Sequence, residues 1–570
     1  MRTKLFIPLF MCLLTYGTWA QDNITSQQDN DKKTWYHKSY EKTKVYGIGT
    51  QEAYQFLESK GLSPQKVTVG VLDSGVQIDH PGLSPNIWTN SKEIPNNGID
   101  DDKNGYVDDV HGWNFLGNNK GDVDEDTMEV TRVVKKYQSV FESADSLQNK
   151  IQREKMPEEY EMYKKSKEIF DEKKQKAKNN YITFFRLKNL IPKAVSLLQN
   201  KNLTPETLIA VKIGNVKDAV SLNLLQSVLE NEEMKGKSPE EVKKYLEKEV
   251  EEPYRHYKTQ YTQQYNLDFD PRKELVGDNE NDYGEKIYGN NHYEGPDALH
   301  GTHVAGIIAG VPNKEEKDQY GVAYKVAKIM SVRTVPNGDE RDKDVANAIR
   351  YAVDNGAKVI NMSFGKPVSP GKKHVWEALR YAEKNNVLLV KAAGNENENL
   401  DKNAYYPINF LSLEDKKPFV SNVIIVGAST DTSDSLKASF SNYSDIKVDV
   451  FAPGQEIYST VPKNQYKYLQ GTSMASPIVA GAATVLLAYM PTLTPAEIIE
   501  SLVMTVNKPG VKTAEKEGKL SFSQLSRSGG IIDLKKAAEY AYTHFYSKTK
   551  KISPQKIRSK RTRRGRVTKN

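Results

Sequence analysis

Five short apolar runs set the main constraint on how this chain can fold. Val67–Leu72, Lys328–Val332, Val359–Ser363, Val387–Val390 and Val423–Val426 are rich in Val, Ile and Leu and stop at small or polar residues. Runs of this length without polar alternation predict strands covered on both faces. Helical patterns fall between them, at Asp344–Asn355 (stopped by Gly356) and Val375–Asn385. Further helices are expected over Gln51–Lys60, Ile478–Ala488, Pro495–Val506 and Ile531–Tyr542. Strands alternating with helices predict an α/β fold, a mostly parallel sheet with helices on both faces.

That rhythm breaks between residues 122 and 265. The stretch is rich in Lys, Glu, Gln and Tyr and almost lacks glycine. Val130, Val133, Val134, Tyr137 and Phe141 keep helical spacing. Thr204-Pro205-Glu206 and Ser238-Pro239-Glu240 each place a capping hydroxyl before a proline at the first helical position. The expectation is an all-helical insertion, 122–265, interrupting one discontinuous α/β domain made of 67–121 and 266–545. Residues 21–66 read as an N-terminal extension. An acidic loop precedes the insertion. Asp100, Asp102 and Asn104 alternate, Gly105 follows at the sixth position and Asp108 at the ninth. This is the first part of a calcium-loop pattern, with hard oxygen ligands around a tight glycine turn. The expected ligand set for a structural calcium ion is Asp100, Asp102, Asn104, Tyr106 and Asp108. Position twelve is His111 instead of Glu, so the loop is not a complete EF-hand, and a metal-free acidic turn is the alternative.

The two ends carry their own signals. Arg2 and Lys4, an apolar core from Leu5 to Leu14 and the small-residue site at Ala20 predict a secretory signal over 1–20. Export is therefore expected, to the outside, the periplasm or the cell envelope. No other segment reads as a membrane span. Cys12 is the single cysteine and lies within that signal, which excludes disulfides, a thiol nucleophile and a thiolate metal site in the mature chain. The net charge of +7 is carried by the ends: eleven Lys and Arg without an acid follow from Lys548 on, and the body between the ends is acidic. The tail 546–570 is expected to be a solvated, disordered end and not a nucleic-acid arm, because it lacks aromatic residues beyond Tyr546. An anionic envelope surface is its alternative contact.

Three polar residues sit at the turns of this pattern. Asp73 ends the first strand at Asp73-Ser74-Gly75, His300 opens His300-Gly301-Thr302-His303, and Ser473 lies in Gly471-Thr472-Ser473-Met474-Ala475-Ser476-Pro477 ahead of an apolar helix. Alone, Ser473 reads as a helix N-cap and Asp73 as the start of a turn. Together they supply what a serine nucleophile needs: an imidazole to take its proton and a carboxylate to orient that imidazole.

In these motifs the chain resembles the subtilisin-like serine peptidases. Val71-Leu72-Asp73-Ser74-Gly75 is similar to the aspartate motif of that family, His300–Gly306 to its histidine motif and Gly471–Pro477 to its serine motif. Asn361-Met362-Ser363-Phe364-Gly365 resembles its substrate strand, Ala392-Ala393-Gly394-Asn395 its oxyanion segment, and Phe451-Ala452-Pro453-Gly454 a further recurring piece. The resemblance implies a three-layer subtilisin-like fold and serine endopeptidase activity on proteins or peptides, with no cofactor needed for the chemistry. Asp73, His300 and Ser473 would be the triad, and the Asn395 amide with the Ser473 backbone N–H the oxyanion hole. Ser363, Phe364 and Gly365 with Ala392, Ala393 and Gly394 would wall the first specificity pocket. Small residues there leave room for a large apolar side chain, with Phe364 narrowing it. His303 would be a packed structural histidine.

Two departures stand out. His300 follows Asp73 by 227 residues, a gap filled by the helical stretch. Only about fifty residues separate the signal from the first strand, too few for a typical inhibitory propeptide. A non-catalytic peptide- or protein-binding protein on the same scaffold is the alternative reading.

Overall fold

A computed structural model describes residues 31–548, apart from 315, 433–434 and 516–517. The expected signal and nearly all of the basic tail lie outside the described residues. The central sheet has seven strands: β1 (Val67–Asp73), β2 (Gly112–Asn114), β3 (Ala327–Arg333), β4 (Val359–Met362), β5 (Leu388–Ala392), β6 (Val423–Ser429) and β7 (Val450–Pro453). Their order is β2-β3-β1-β4-β5-β6-β7, and every neighbouring pair is parallel. Register runs from Val67 opposite Ala327 to Asp73 opposite Arg333, so Asp73 stands at the carboxyl edge of the sheet. Five of the strands are those expected from the apolar runs. The edge strand β2 and the short β7 are additions.

Alternation along the strands divides the core in two. Val69, Val71, Ile329, Val359, Leu388, Val390, Ile424 and Val426 pack on one face, while Leu72, Met330, Val332, Ile360, Met362, Leu389 and Ile425 pack on the other. This is the period-two geometry of a pleated strand with both faces covered. Of the helices, we label α1 (Thr50–Ser59), α2 (Glu129–Phe141), α3 (Pro157–Leu197), α4 (Val216–Leu229), α5 (Pro239–Thr259), α6 (Leu299–Ala309), α7 (Asp342–Asp354), α8 (Lys372–Lys384), α9 (Thr472–Tyr489), α10 (Pro495–Met504) and α11 (Leu534–Ala541). The first face carries α6, α9 and α11 together with Tyr36, Tyr54 and Leu57 from the segment before β1. The second carries α7 and α8. The layers are those of an α/β sandwich, as expected. Helix α9 is long and apolar enough to cross a membrane, which the sequence reading overlooked, but it is almost wholly buried as the core helix of this face.

Two boundaries moved for physical reasons. The last helix starts at Leu534 and not at Ile531, because Ile531 pairs with Asn507 and Phe451, and the Asp533 side chain then caps Lys536 N–H. The serine helix begins six residues earlier than expected and contains Pro477. Proline has no N–H to give to the carbonyl four residues back. That carbonyl belongs to Ser473, and Ser363 Oγ donates to it instead (2.8 Å).

Most of residues 129–264 is helical. Helix α3 has 41 residues, about 60 Å at 1.5 Å per residue. Thr204 caps Thr207 N–H, and Ser238 forms a capping box with Glu241. This stretch has two small apolar cores of its own. One is built from Ile191, Leu203, Leu225 and Leu246. The other joins Val133, Tyr137, Phe141 and Phe170 to Val368, three residues beyond Gly365.

Candidate active site

The carboxyl edge of the sheet brings together residues far apart in the chain. Asp73 is almost fully buried at the end of β1. Its Oδ1 accepts the Ser74 backbone N–H (2.8 Å) and lies 2.7 Å from His300 Nδ1. A carboxylate can only accept, so Nδ1 carries the imidazole proton and Nε2 is left as a free base. Burial lowers the His300 pKa, but the charge and hydrogen bond of Asp73, with help from Asp297, more than offset this, and the net shift is upward.

His300 lies in the first turn of α6. That helix is held by a hairpin, β8 (Ile457–Val461) with β9 (Gln465–Leu469). Ser459 Oγ donates to the His303 carbonyl (2.9 Å) and Thr460 Oγ1 to the Thr302 carbonyl (2.8 Å). His303 itself is fully buried, with Nε2 3.0 Å from the Lys467 carbonyl. Burial pushes its pKa down to about 3. It is a neutral packing residue, as expected, and makes no pair with His300.

Ser473 is half-buried at the mouth of α9, where the following turns are buried. Its Oγ donates to the Ser363 carbonyl (3.0 Å) while Ser363 Oγ returns a bond to the Ser473 carbonyl. A hydroxyl has one proton, so in this state that proton is not given to His300. Looser nucleophile–base contacts are common before substrate binds. Behind Ser363 the polar chain continues: Asn361 Nδ2 donates to Ser363 Oγ (2.9 Å), and Ser476 Oγ to Asn361 Oδ1 (2.8 Å). The helix and β4 are thus locked to each other through buried, satisfied groups.

Asn395 is exposed, and its orientation is set by chemistry. Its Oδ1 accepts both Thr472 N–H (2.9 Å) and Thr472 Oγ1 (3.0 Å). The amide nitrogen must then face away, toward the cleft. Gly471 has φ +149°, which disfavours any residue with a side chain. A Cβ there would lie 3.5 Å from Asn395 Nδ2 and 3.6 Å from Ser473 N, so the glycine sits between the two amides. Ser473 N–H belongs to the first helical turn, whose amides have no intrahelical acceptor. Two N–H donors therefore flank one small space next to Ser473 Oγ.

The proposed pocket walls are close to each other but not empty. Ser363, Ala392, Ala393 and Gly394 are buried, and Phe364 is buried in the apolar cluster on the second face of the sheet, against which Tyr405 also packs. The Tyr405 ring lies next to Gly365 and Gly394; the sequence offered no periodic signal for it. Beneath it lies Lys391, buried, its Nζ donating to the Ala392 carbonyl (2.7 Å). Burial pulls the Lys391 pKa down to about 7, against the pull of Glu340 and Glu396.

In the acidic loop, the structure brings Asp100 and Asp102 together and adds Glu93, with ligand oxygens all within 4.8 Å of one another. The acid seven positions before Asp100 was the available signal for Glu93. The acids also accept N–H groups of the loop: Asp108 from Asn97 (3.2 Å) and Gly98 (2.9 Å), Glu93 from Asp102 and Asp108, Asp100 from Asn104 and Gly105. Asn104 Oδ1 accepts Tyr106 N–H, and the Tyr106 phenol is buried and donates to the Lys286 carbonyl. His111 Nδ1 lies 2.8 Å from the Trp88 carbonyl, outside the cluster. Three converging carboxylates fit a hard divalent cation.

Residues 64–525 match the model of the subtilase family, peptidase S8. Thermitase of Thermoactinomyces vulgaris is 44% identical over 188 residues, 33% of this chain and 60% of that protein. Subtilisin DY of Bacillus licheniformis is 36% identical over 212 residues, 37% of this chain and 71% of that protein. The thermophilic serine proteinase of Bacillus sp. (strain AK1) is 42% identical over 190 residues, 33% of this chain and 42% of that protein. With the parallel sheet, the Asp73–His300 pair and Ser473 all on one edge, the family match over most of its length places this chain in the subtilase family.

Proposed function

We propose that this subtilase is an exported serine endopeptidase with Asp73, His300 and Ser473 as its triad. The reading is supported by the 2.7 Å contact between Asp73 and His300 Nδ1 and by the two N–H groups that flank Gly471 next to Ser473. Ser473 Oγ turns from the Ser363 carbonyl to His300 Nε2 and attacks the peptide carbonyl carbon as its proton passes to Nε2. Asn395 Nδ2 and Ser473 N–H receive the oxyanion. His300 then hands its proton to the leaving amine, giving the acyl-enzyme, which water releases through the same base. Asp73 keeps Nδ1–H in place and steadies the imidazolium. The Ser363–Gly365 strand takes the substrate backbone as an added strand.

The catalytic body comprises 67–121 and 266–545, with 122–265 as a helical insertion and 21–66 as an extension before it. Export rests on the signal-like residues 1–20. Glu93, Asp100 and Asp102 hold a structural calcium ion, which takes no part in the chemistry. The test is labelling with a fluorophosphonate probe. The wild-type chain is expected to label and to cleave peptides, and Ser473→Ala to do neither. Equal labelling of both proteins, or none of the wild type, refutes the assignment.

A further inference from the structure

Resting on that peptidase reading, we propose that Tyr405 plugs the pocket for the side chain on the acyl side of the scissile bond, so that cleavage follows glycine, alanine or serine. The two walls of this pocket are the backbones of Ser363–Gly365 and Ala392–Gly394. The Tyr405 ring lies between them. A Cβ placed on Gly365 would run into the ring edge, and one on Gly394 would lie 2.9 Å from Cε1 of the same ring. One aromatic edge therefore touches both walls, in the slot that an open pocket would leave for substrate.

The ring is held from three sides. The next residue, Tyr406, is bridged to Lys366, the residue after the first wall: Lys366 N–H donates to the Tyr406 carbonyl (3.0 Å) and Tyr406 N–H to the Lys366 carbonyl (2.8 Å). Below, Lys391 Nζ sits 4.7 Å from the ring centroid, a cation–π distance. Beyond, the phenol hydroxyl meets Glu396, the residue after Asn395. Glu396 Oε2 also accepts Asn442 Nδ2 (2.7 Å). The plug is thus joined to the backbone of one wall and to side chains around the other. Swinging it out for a large substrate residue would break the hydroxyl contact and strip the cover from Lys391. A methyl or hydroxymethyl side chain needs no such movement.

The experiment uses the full chain and a set of internally quenched peptides that differ only in the residue before the scissile bond: Gly, Ala, Ser, Leu, Phe or Arg. In the wild type, kcat/KM after Ala is expected to exceed that after Phe by at least about tenfold, in the range by which apolar pockets discriminate. In Tyr405→Ala that ratio falls below one, and in Tyr405→Phe, which keeps the ring, it stays with the wild type. Wild-type cleavage after Leu, Phe or Arg as fast as after Ala overturns the plug, whether or not the variants fold, and so does an unchanged ratio in a folded Tyr405→Ala protein. If the wild type labels with fluorophosphonate yet prefers Phe, the plug alone falls. A wild type that neither labels nor cleaves any peptide takes the peptidase reading down with it.

Discussion

Replacing Asp73 by Asn tests the site most directly, because the structure says what each atom of the new amide would meet. Oδ1 serves both Ser74 N–H and His300 Nδ1–H, and the other oxygen, Oδ2, is buried without a partner. If the amide oxygen takes the Oδ1 place, its NH2 group is left buried and unpaired. If the NH2 group faces His300, it opposes Ser74 N–H and forces the wrong imidazole tautomer. Either way the negative charge is gone. A unit charge pair at 2.7 Å is worth about 6 kcal/mol at an effective dielectric constant of about 20. The His300 side chain is 38% exposed, so screening removes roughly half of that, leaving about 3 kcal/mol. That alone is a loss of about 10²-fold, and a wrong tautomer extends it toward about 10⁴-fold. The pH profile carries a second signature. Catalysis requires neutral His300, whose pKa Asp73 holds above 6.5, so wild-type activity falls as pH drops through that raised value. With the charge and hydrogen bond of Asp73 removed, burial is opposed only by Asp297, so the His300 pKa falls and the acid limb moves to lower pH. The assay is kcat/KM on one quenched peptide from pH 5 to 9 at fixed ionic strength. A loss under tenfold, or an acid limb that does not move, refutes the role given to Asp73.

Two further outcomes concern stability. Chelation of divalent cations is expected to lower Tm, and Asp102→Ala to abolish that response; an unchanged Tm on chelation removes the calcium ion from the acidic loop. Lys366 is buried, with Nζ 2.6 Å from Glu129 Oε2, 3.0 Å from Asp342 Oδ1 and 2.7 Å from the Glu340 carbonyl. Lys366→Met breaks these contacts from one side and is expected to cost about 3–5 kcal/mol in denaturant melts, whereas a change below about 1 kcal/mol would mean the network does not hold this region together.

Most of the sheet was legible because each inner strand is an apolar run of enough length to show. Gly112–Asn114 was not, because three residues carry no period; their place is set by pairing with Ser331–Arg333. The hairpin at 457–469 was missed for a different reason. Its second strand, Gln465–Leu469, is polar and half-exposed, so its strand character comes from its partner and from the contacts it makes with α6. In the site, Asp73, His300, Asn395 and Ser473 were readable because each lies in a motif with glycine at fixed offsets. Tyr405 and Glu93 were not. Their importance depends on which other segment they face, and nothing local in the chain records that.

The charges at the root of the helical stretch also bear on how this chain could be shortened. Lys366 has an acid on each side of the join, Glu129 from α2 and Asp342 from α7. Arg341 is likewise shared between Asp126 and Glu280. Cutting out residues 122–265 would take away Asp126, Glu129 and Arg132 but leave Lys366 and Arg341 one carboxylate each; it would also strip Asp122, Asp124 and the Val123 carbonyl from the buried Arg333. A trimmed chain would therefore have two weak points: the buried Arg333, left without two of its nearby acids, and the bare flank around Val368, now facing water where Tyr137 and Phe141 had covered it.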